Sequence, residues 1–205
     1  MAGQLAQVDT RLAEIMIRLH FRNTEFLIEF SFFAVAALVG VLGGTRVFLE
    51  MLFACFLHEC GHLIAMVCVH RRVRQIRICG AGALIYPADS YGAYGKDVLV
   101  LLAGPSVNLA IGIAALYMNT TSLAAWHMAL GIFNLLPYAH LDGGGILAAL
   151  CGMCGVLPEK TIRLQKSVSV LTTLTLFGLL WYFQIKNFSL FCMLFYLQAT
   201  AFLQE

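Results

Sequence analysis

Residues Val47–Val69 read VFLEMLFACFLHECGHLIAMVCV, and this stretch decides how the rest of the chain is read. It is long and apolar enough to cross a bilayer, which takes about 20 residues. Yet its second half carries His58-Glu59-Cys60-Gly61-His62. On a helix, positions i and i+4 share one face, so both imidazoles point toward a single metal ion. Glu59 stands beside them as a general base. Three ionisable side chains facing lipid cost about 2–3 kcal/mol each, so a purposeless cluster at this depth is disfavoured. A chance HExxH in a chain of this composition has odds on the order of one in a hundred.

Outward from this stretch, the composition agrees. The chain has 205 residues, 60% hydrophobic and 12% charged, against roughly a quarter charged in soluble domains. Mean hydropathy is +0.84. Val98–Leu141 is 44 residues without Asp, Glu, Lys or Arg, and Ser167–Ile185 and Asn187–Gln204 are also free of them. A soluble or secreted protein is excluded, and a net charge of +2 argues against a nucleic-acid partner.

The expected fold class is an all-α polytopic membrane protein. It has about six transmembrane helices: Thr24–Leu42, Val47–Val69, Val98–Met118, Thr121–Leu136, Ile162–Gln184 and Phe188–Phe202. Between the second and third, Val73–Cys79 and Ala83–Tyr86 flank Gly80-Ala81-Gly82 and predict a small membrane-associated β-hairpin. Residues 1–23 form an N-terminal segment without the apolar stretch and cleavage site of a signal peptide. Leu5, Val8, Leu12, Ile15 and Leu19 recur there at the spacing of an amphipathic surface helix. Residues 24–205 read as one transmembrane domain with its core at about 47–150.

Six spans put eleven basic residues on one side: Arg11, Arg18, Arg22, Arg71, Arg72, Arg74, Arg77, Lys96, Lys160, Arg163 and Lys166. Only Arg46 and Lys186 fall on the other. The basic side is cytoplasmic, with both termini inside, and the arginines at 71–77 face anionic lipid. Glu29 and Glu50 lie near span ends, where their carboxylates snorkel to water. Four of the seven cysteines, Cys55, Cys60, Cys68 and Cys192, sit in spans as small hydrophobes. Cys151 and Cys154 form a single CxxC, a weak metal or redox signal against two small residues near a helix end.

Two histidines do not complete a catalytic zinc site. Of the downstream acids, Glu159 and Glu205 are poorly placed. Asp142 follows the end of the fourth span, at the depth of His58 and His62, after the break at Pro137. Asp142 also reads as an N-cap for a helix over Gly143–Leu150, a use compatible with binding metal. Tyr138, next to that break, is expected to be reachable from the cytoplasm. His127 lies in the outer half of the fourth span and reads as packing. Asn108, mid-span beside Gly104-Pro105, is either a site residue or a helix–helix hydrogen bond.

Four motifs together, His58-Glu59-Cys60-Gly61-His62, Ala103-Gly104-Pro105-Ser106-Val107-Asn108, Asn134-Leu135-Leu136-Pro137 and Leu141-Asp142-Gly143-Gly144, resemble the site-2 protease family of intramembrane zinc metalloproteases (M50). The match runs from about Phe48 to Leu150. The resemblance implies one Zn2+ per chain held by His58, His62 and Asp142, Glu59 as catalytic base, and Asn134 and Asn108 contacting substrate or supporting the site. The compact layout is most similar to the sporulation branch that cleaves a membrane-associated pro-sigma factor. It therefore implies a bacterial cytoplasmic membrane, a membrane-tethered regulatory protein as substrate and a membrane regulator as a further partner. Two positions depart from that branch. His140 stands near the place of a second proline, as a supporting group, a pH-sensitive group, an extra ligand or a plain loop residue. Gly145 replaces an arginine. The rival functions are a zinc-binding pseudo-protease, which would not need Glu59, and a metal-site transporter, for which no repeated half is visible.

Overall fold

The computed structural model describes residues 15–21, 24–79, 82–88, 94–185 and 187–203. The chain divides into two compact units, residues 1–91 and 92–205.

The first unit holds β1 (Ile15–Phe21), β2 (Thr24–Glu29), α1 (Phe30–Cys68), β3 (Val73–Cys79) and β4 (Gly82–Pro87). The strands form one sheet in the order β1-β2-β3-β4. β1 and β2 are antiparallel, β2 and β3 parallel, and β3 and β4 antiparallel. Parallel neighbours need a crossover, and α1 is that crossover. The expected hairpin strands pair with each other, but as half of a larger sheet; Gly80 and Ala81 lie outside the described residues.

The other half of the sheet corrects the N-terminal expectation. Residues 15–21 are a strand, not a surface helix; Leu5, Val8 and Leu12 lie outside the described residues. From Ile17 to Phe21 the sequence alternates apolar and polar, a period of two that only a strand can use. β2 supplies the partner, with Arg18 Nε 3.2 Å from Glu25 Oε1 and His20 directly opposite Glu25.

The expected first span is also revised. Residues 24–29 are strand, and the helix that follows is broken at Gly44, in the gap expected between the first and second spans. Gly44 stands at φ 76° and ψ 164°, a conformation open to glycine and strained for other residues. It separates residues 30–43 from residues 45–68, and the second piece, about 36 Å long, is enough to cross a bilayer core. Glu29, expected to snorkel, closes β2 as a buried group, ion-paired with Arg77 Nε and accepting a hydrogen bond from Ser31 Oγ at 3.0 Å. Arg77 is thereby removed from the lipid-facing set. Glu50 pairs with Arg46 one turn away at 3.0 Å.

The second unit holds α2 (Tyr94–Tyr117), α3 (Thr121–Asn134), α4 (Asp142–Met153), α5 (Pro158–Tyr182) and α6 (Phe188–Leu203). α2 packs on α3 and α4, and α5 on α4 and α6. Small residues permit the close approach of α2 and α3. A Cβ on Gly112 would fall 2.7 Å from Met128 Cγ, and one on Gly131 would lie 3.2 Å from the Pro105 carbonyl oxygen. Large apolar side chains such as Leu99, Ile113, Leu171 and Trp181 are exposed, as expected of a surface solvated by lipid rather than water.

Three described helices, α1, α2 and α5, are long and apolar enough to cross a membrane, so the chain is an integral membrane protein. α3 has 14 residues, α4 12 and α6 16.

Candidate metal centre

The buried residues of α1 are Ala54, His58, Gly61, His62 and Met66. They recur at i, i+4, i+7, i+8 and i+12, one stripe of a helix. The opposite face exposes Phe53, Phe56, Ile64 and Val67. A membrane protein inverts the soluble pattern here, with apolar groups facing out and the ionisable pair inward. The two imidazoles meet edge to face, centroids 4.7 Å apart and planes at 83°. Their Nε2 atoms face each other at 3.1 Å.

That separation fits a shared ion. Two nitrogens each about 2.0–2.1 Å from zinc in a tetrahedral site stand roughly 3.3 Å apart. The imidazoles thus already sit close to one tetrahedral edge. Glu59, half-buried, follows His58 directly.

Asp142 belongs to the second unit, and the local sequence explains its setting. Pro137 lacks an N–H and ends the helical run after α3. A turn follows, with Tyr138 N–H donating to the Leu136 carbonyl at 2.8 Å and Leu141 N–H to the Tyr138 carbonyl at 2.9 Å. α4 then begins with Asp142 as its first helical residue, half-buried. The N-cap position belongs to Leu141, extended at φ −105° and ψ 162°, so the capping role expected of Asp142 is not the one it takes. Its carboxylate lies at the N-terminal end of α4.

The two glycines after it are required by space. A Cβ on Gly143 would sit 2.1 Å from the Leu135 carbonyl oxygen, and one on Gly144 2.1 Å from that of Tyr138. The Asp-Gly-Gly sequence is what lets the turn lie flat against the start of α4. At Gly145 a Cβ would meet Leu101 Cδ1 at 2.9 Å, so the usual arginine would have to displace that side chain.

The remaining expected residues separate. Asn134 ends α3, half-buried, its Nδ2 donating to the Leu130 carbonyl at 3.1 Å. Asn108 is fully buried, with Oδ1 3.3 Å from Nδ1 of His127, also fully buried. This is the helix–helix bond named as one reading of Asn108, and it gives His127 its packing role a specific partner. His140 is exposed. Cys151 is buried and Cys154 exposed.

Tyr138 is the clear correction. Expected to be reachable, it is 0% exposed, and its hydroxyl lies 2.7 Å from Thr173 Oγ1 on α5. Gln165, also on α5, donates from Nε2 to the Gly144 carbonyl at 2.9 Å. Sequence reasoning missed both ties. The available signal was the row of polar residues Gln165, Ser169 and Thr173, which share one face of an otherwise apolar helix.

The fold is similar to that of a solved membrane protease. The site-2 protease from Methanocaldococcus jannaschii superimposes with a TM-score of 0.63, over 90% of this chain and 93% of that one, at 20% identity. In sequence, a zinc metalloprotease of the same organism is 28% identical over 174 residues, 76% of this chain and 51% of the relative. The chain therefore spans about half the length of the curated relative it matches. No protein-family model matches it.

Proposed function

We propose that the chain is an intramembrane zinc metalloprotease, hydrolysing a peptide bond in or near the transmembrane segment of a membrane-tethered protein. The observation that carries this reading is the buried pair of convergent Nε2 atoms, 3.1 Å apart on a helix of membrane-spanning length. Two imidazoles and one carboxylate are a donor set of catalytic rather than structural zinc. His58 and His62 are buried and Asp142 half-buried, as ligands screened from bulk water would be. These three residues are proposed to hold one ion per chain.

When bound, zinc polarises the scissile carbonyl and makes water more acidic. Glu59 accepts the proton of the attacking water on a carboxylate oxygen and passes it to the leaving amine nitrogen. Asn134 and Asn108 are proposed to contact substrate or support the site. The substrate must unwind first, because the amides of a membrane-spanning helix are already paired internally. β1 and β4 have no further strand beside them among the described residues, and such an edge holds an extended peptide by strand addition.

The finer reading is a regulatory protein released to the cytoplasm, a pro-sigma factor in the sporulation branch, in a bacterial cytoplasmic membrane with both termini inside. The resemblance of the motifs and the one-sided placement of basic residues support it. The test is metal analysis together with cleavage of a single-span reporter by purified protein. About one zinc per chain and cleavage abolished by His58→Ala are expected. A metal-free wild-type protein, or cleavage indifferent to His58, contradicts the reading.

A further inference from the structure

Tyr138 lies four residues before Asp142 and is held by two hydrogen bonds and one close backbone approach. Its hydroxyl meets Thr173 Oγ1 at 2.7 Å, its carbonyl accepts from Leu141 N–H at 2.9 Å, and that same carbonyl lies where a Cβ on Gly144 would go. Thr173 has one hydroxyl hydrogen and two acceptors for it, the Ser169 carbonyl at 2.8 Å and Gln198 Oε1 at 2.7 Å. The Tyr138 hydroxyl is therefore the donor to Thr173. Gln198 in turn reaches Ser169 Oγ at 3.5 Å, so the anchor point is fixed from α5 and α6 together. On the far side of Asp142, Gln165 Nε2 holds the Gly144 carbonyl. One stripe of α5 thus grips the chain four residues before Asp142 and two residues after it.

We propose that Tyr138, clamped by Thr173, is a positioning residue that aims the Asp142 carboxylate at the metal. This inference rests on Asp142 being a zinc ligand. The paired grips on both flanks restrict the one segment whose drift would move the carboxylate. Groups that orient metal ligands alter affinity by about 10–100-fold when removed.

The test is zinc affinity of purified full-length protein by chelator competition, with the visible absorption of the Co2+-loaded protein as a second readout. Tyr138→Phe keeps the ring and removes the hydroxyl. It is expected to weaken zinc binding about tenfold or more and to change the cobalt spectrum, while helix content stays unchanged. Thr173→Val should do the same, and Thr173→Ser, which keeps the hydroxyl, should restore wild-type affinity. Wild-type affinity in both Tyr138→Phe and Thr173→Val, or failure of Thr173→Ser to differ from Thr173→Val, overturns the inference. Asp142→Ala separates the layers. If it lowers affinity while Tyr138→Phe does not, only the positioning role falls. If it leaves affinity intact, the ligand reading falls and the positioning role with it.

Discussion

His58 and His62 present their Nε2 atoms to each other at 3.1 Å across one turn of α1. Two neutral imidazoles so placed satisfy one hydrogen bond, with one nitrogen as donor and the other as acceptor. An ion between them uses both lone pairs. The burial of this pair on the inward stripe, with phenylalanines on the opposite face, makes the histidine pair the natural starting point for testing metal binding.

The third ligand is tested by comparing two neighbours. Asp142→Ala should lower both zinc content and activity. His140→Ala, at an exposed position, should leave zinc content close to that of the wild type. The reverse pattern in metal analysis would place His140 in the ligand set.

Gly144→Ala should destabilise the protein. The new methyl would fall 2.1 Å from a backbone oxygen of Tyr138, where no flexible side chain can yield. Overpacking costs about 1–3 kcal/mol or more, and a lower thermal midpoint with reduced zinc content is expected. Unchanged stability would mean that the turn relaxes freely.

Asn108 and His127 should couple weakly. Interhelical hydrogen bonds in membranes average about 0.6 kcal/mol and reach about 1.7. A double-mutant cycle with Asn108→Ala and His127→Ala, read as stability in detergent, should give a value in that range. A much larger coupling accompanied by loss of activity would show that Asn108 serves the site beyond this helix contact.

Glu29 is buried and Arg77 half-buried, and the two should behave as a largely desolvated pair. Removing one partner strands the other charge and costs about 3–5 kcal/mol, whereas replacing both by apolar residues of similar volume is often neutral. Glu29→Met alone should therefore be more harmful than Glu29→Met with Arg77→Met. Equal or greater loss in the double variant would show that the pair is not compensated in this way.

The histidine pair and the glycines after Asp142 were legible because their signals are local. The spacing of His58 and His62 fixes a shared helix face, and Gly143-Gly144 follows a proline break. The strand Val73–Cys79 was legible from composition, and the expected Ala83–Tyr86 lies inside the observed Gly82–Pro87. What could not be read depended on distant partners. Ile15 and Leu19 fit a helical spacing, and only pairing with β2 makes residues 15–21 a strand. Glu29 looked like a carboxylate at a span end because Arg77, 48 residues away, is not a sequence neighbour. Tyr138 looked like a loop tyrosine because its partner Thr173 is 35 residues on. The gap between the first two expected spans was legible too, and the helix breaks within it, at Gly44.

The most direct measurement of the central claim is Glu59-dependent proteolysis. Glu59→Gln keeps the shape of the side chain, removes its basicity and touches neither imidazole. Wild type and Glu59→Gln, purified in parallel with their zinc content measured, would each be incubated with a single-span reporter whose products are identified by mass spectrometry. The account predicts equal zinc in both proteins, a defined cut in or near the reporter's membrane segment by wild type, and no cut by Glu59→Gln. Cleavage by Glu59→Gln at a rate near that of wild type would contradict it.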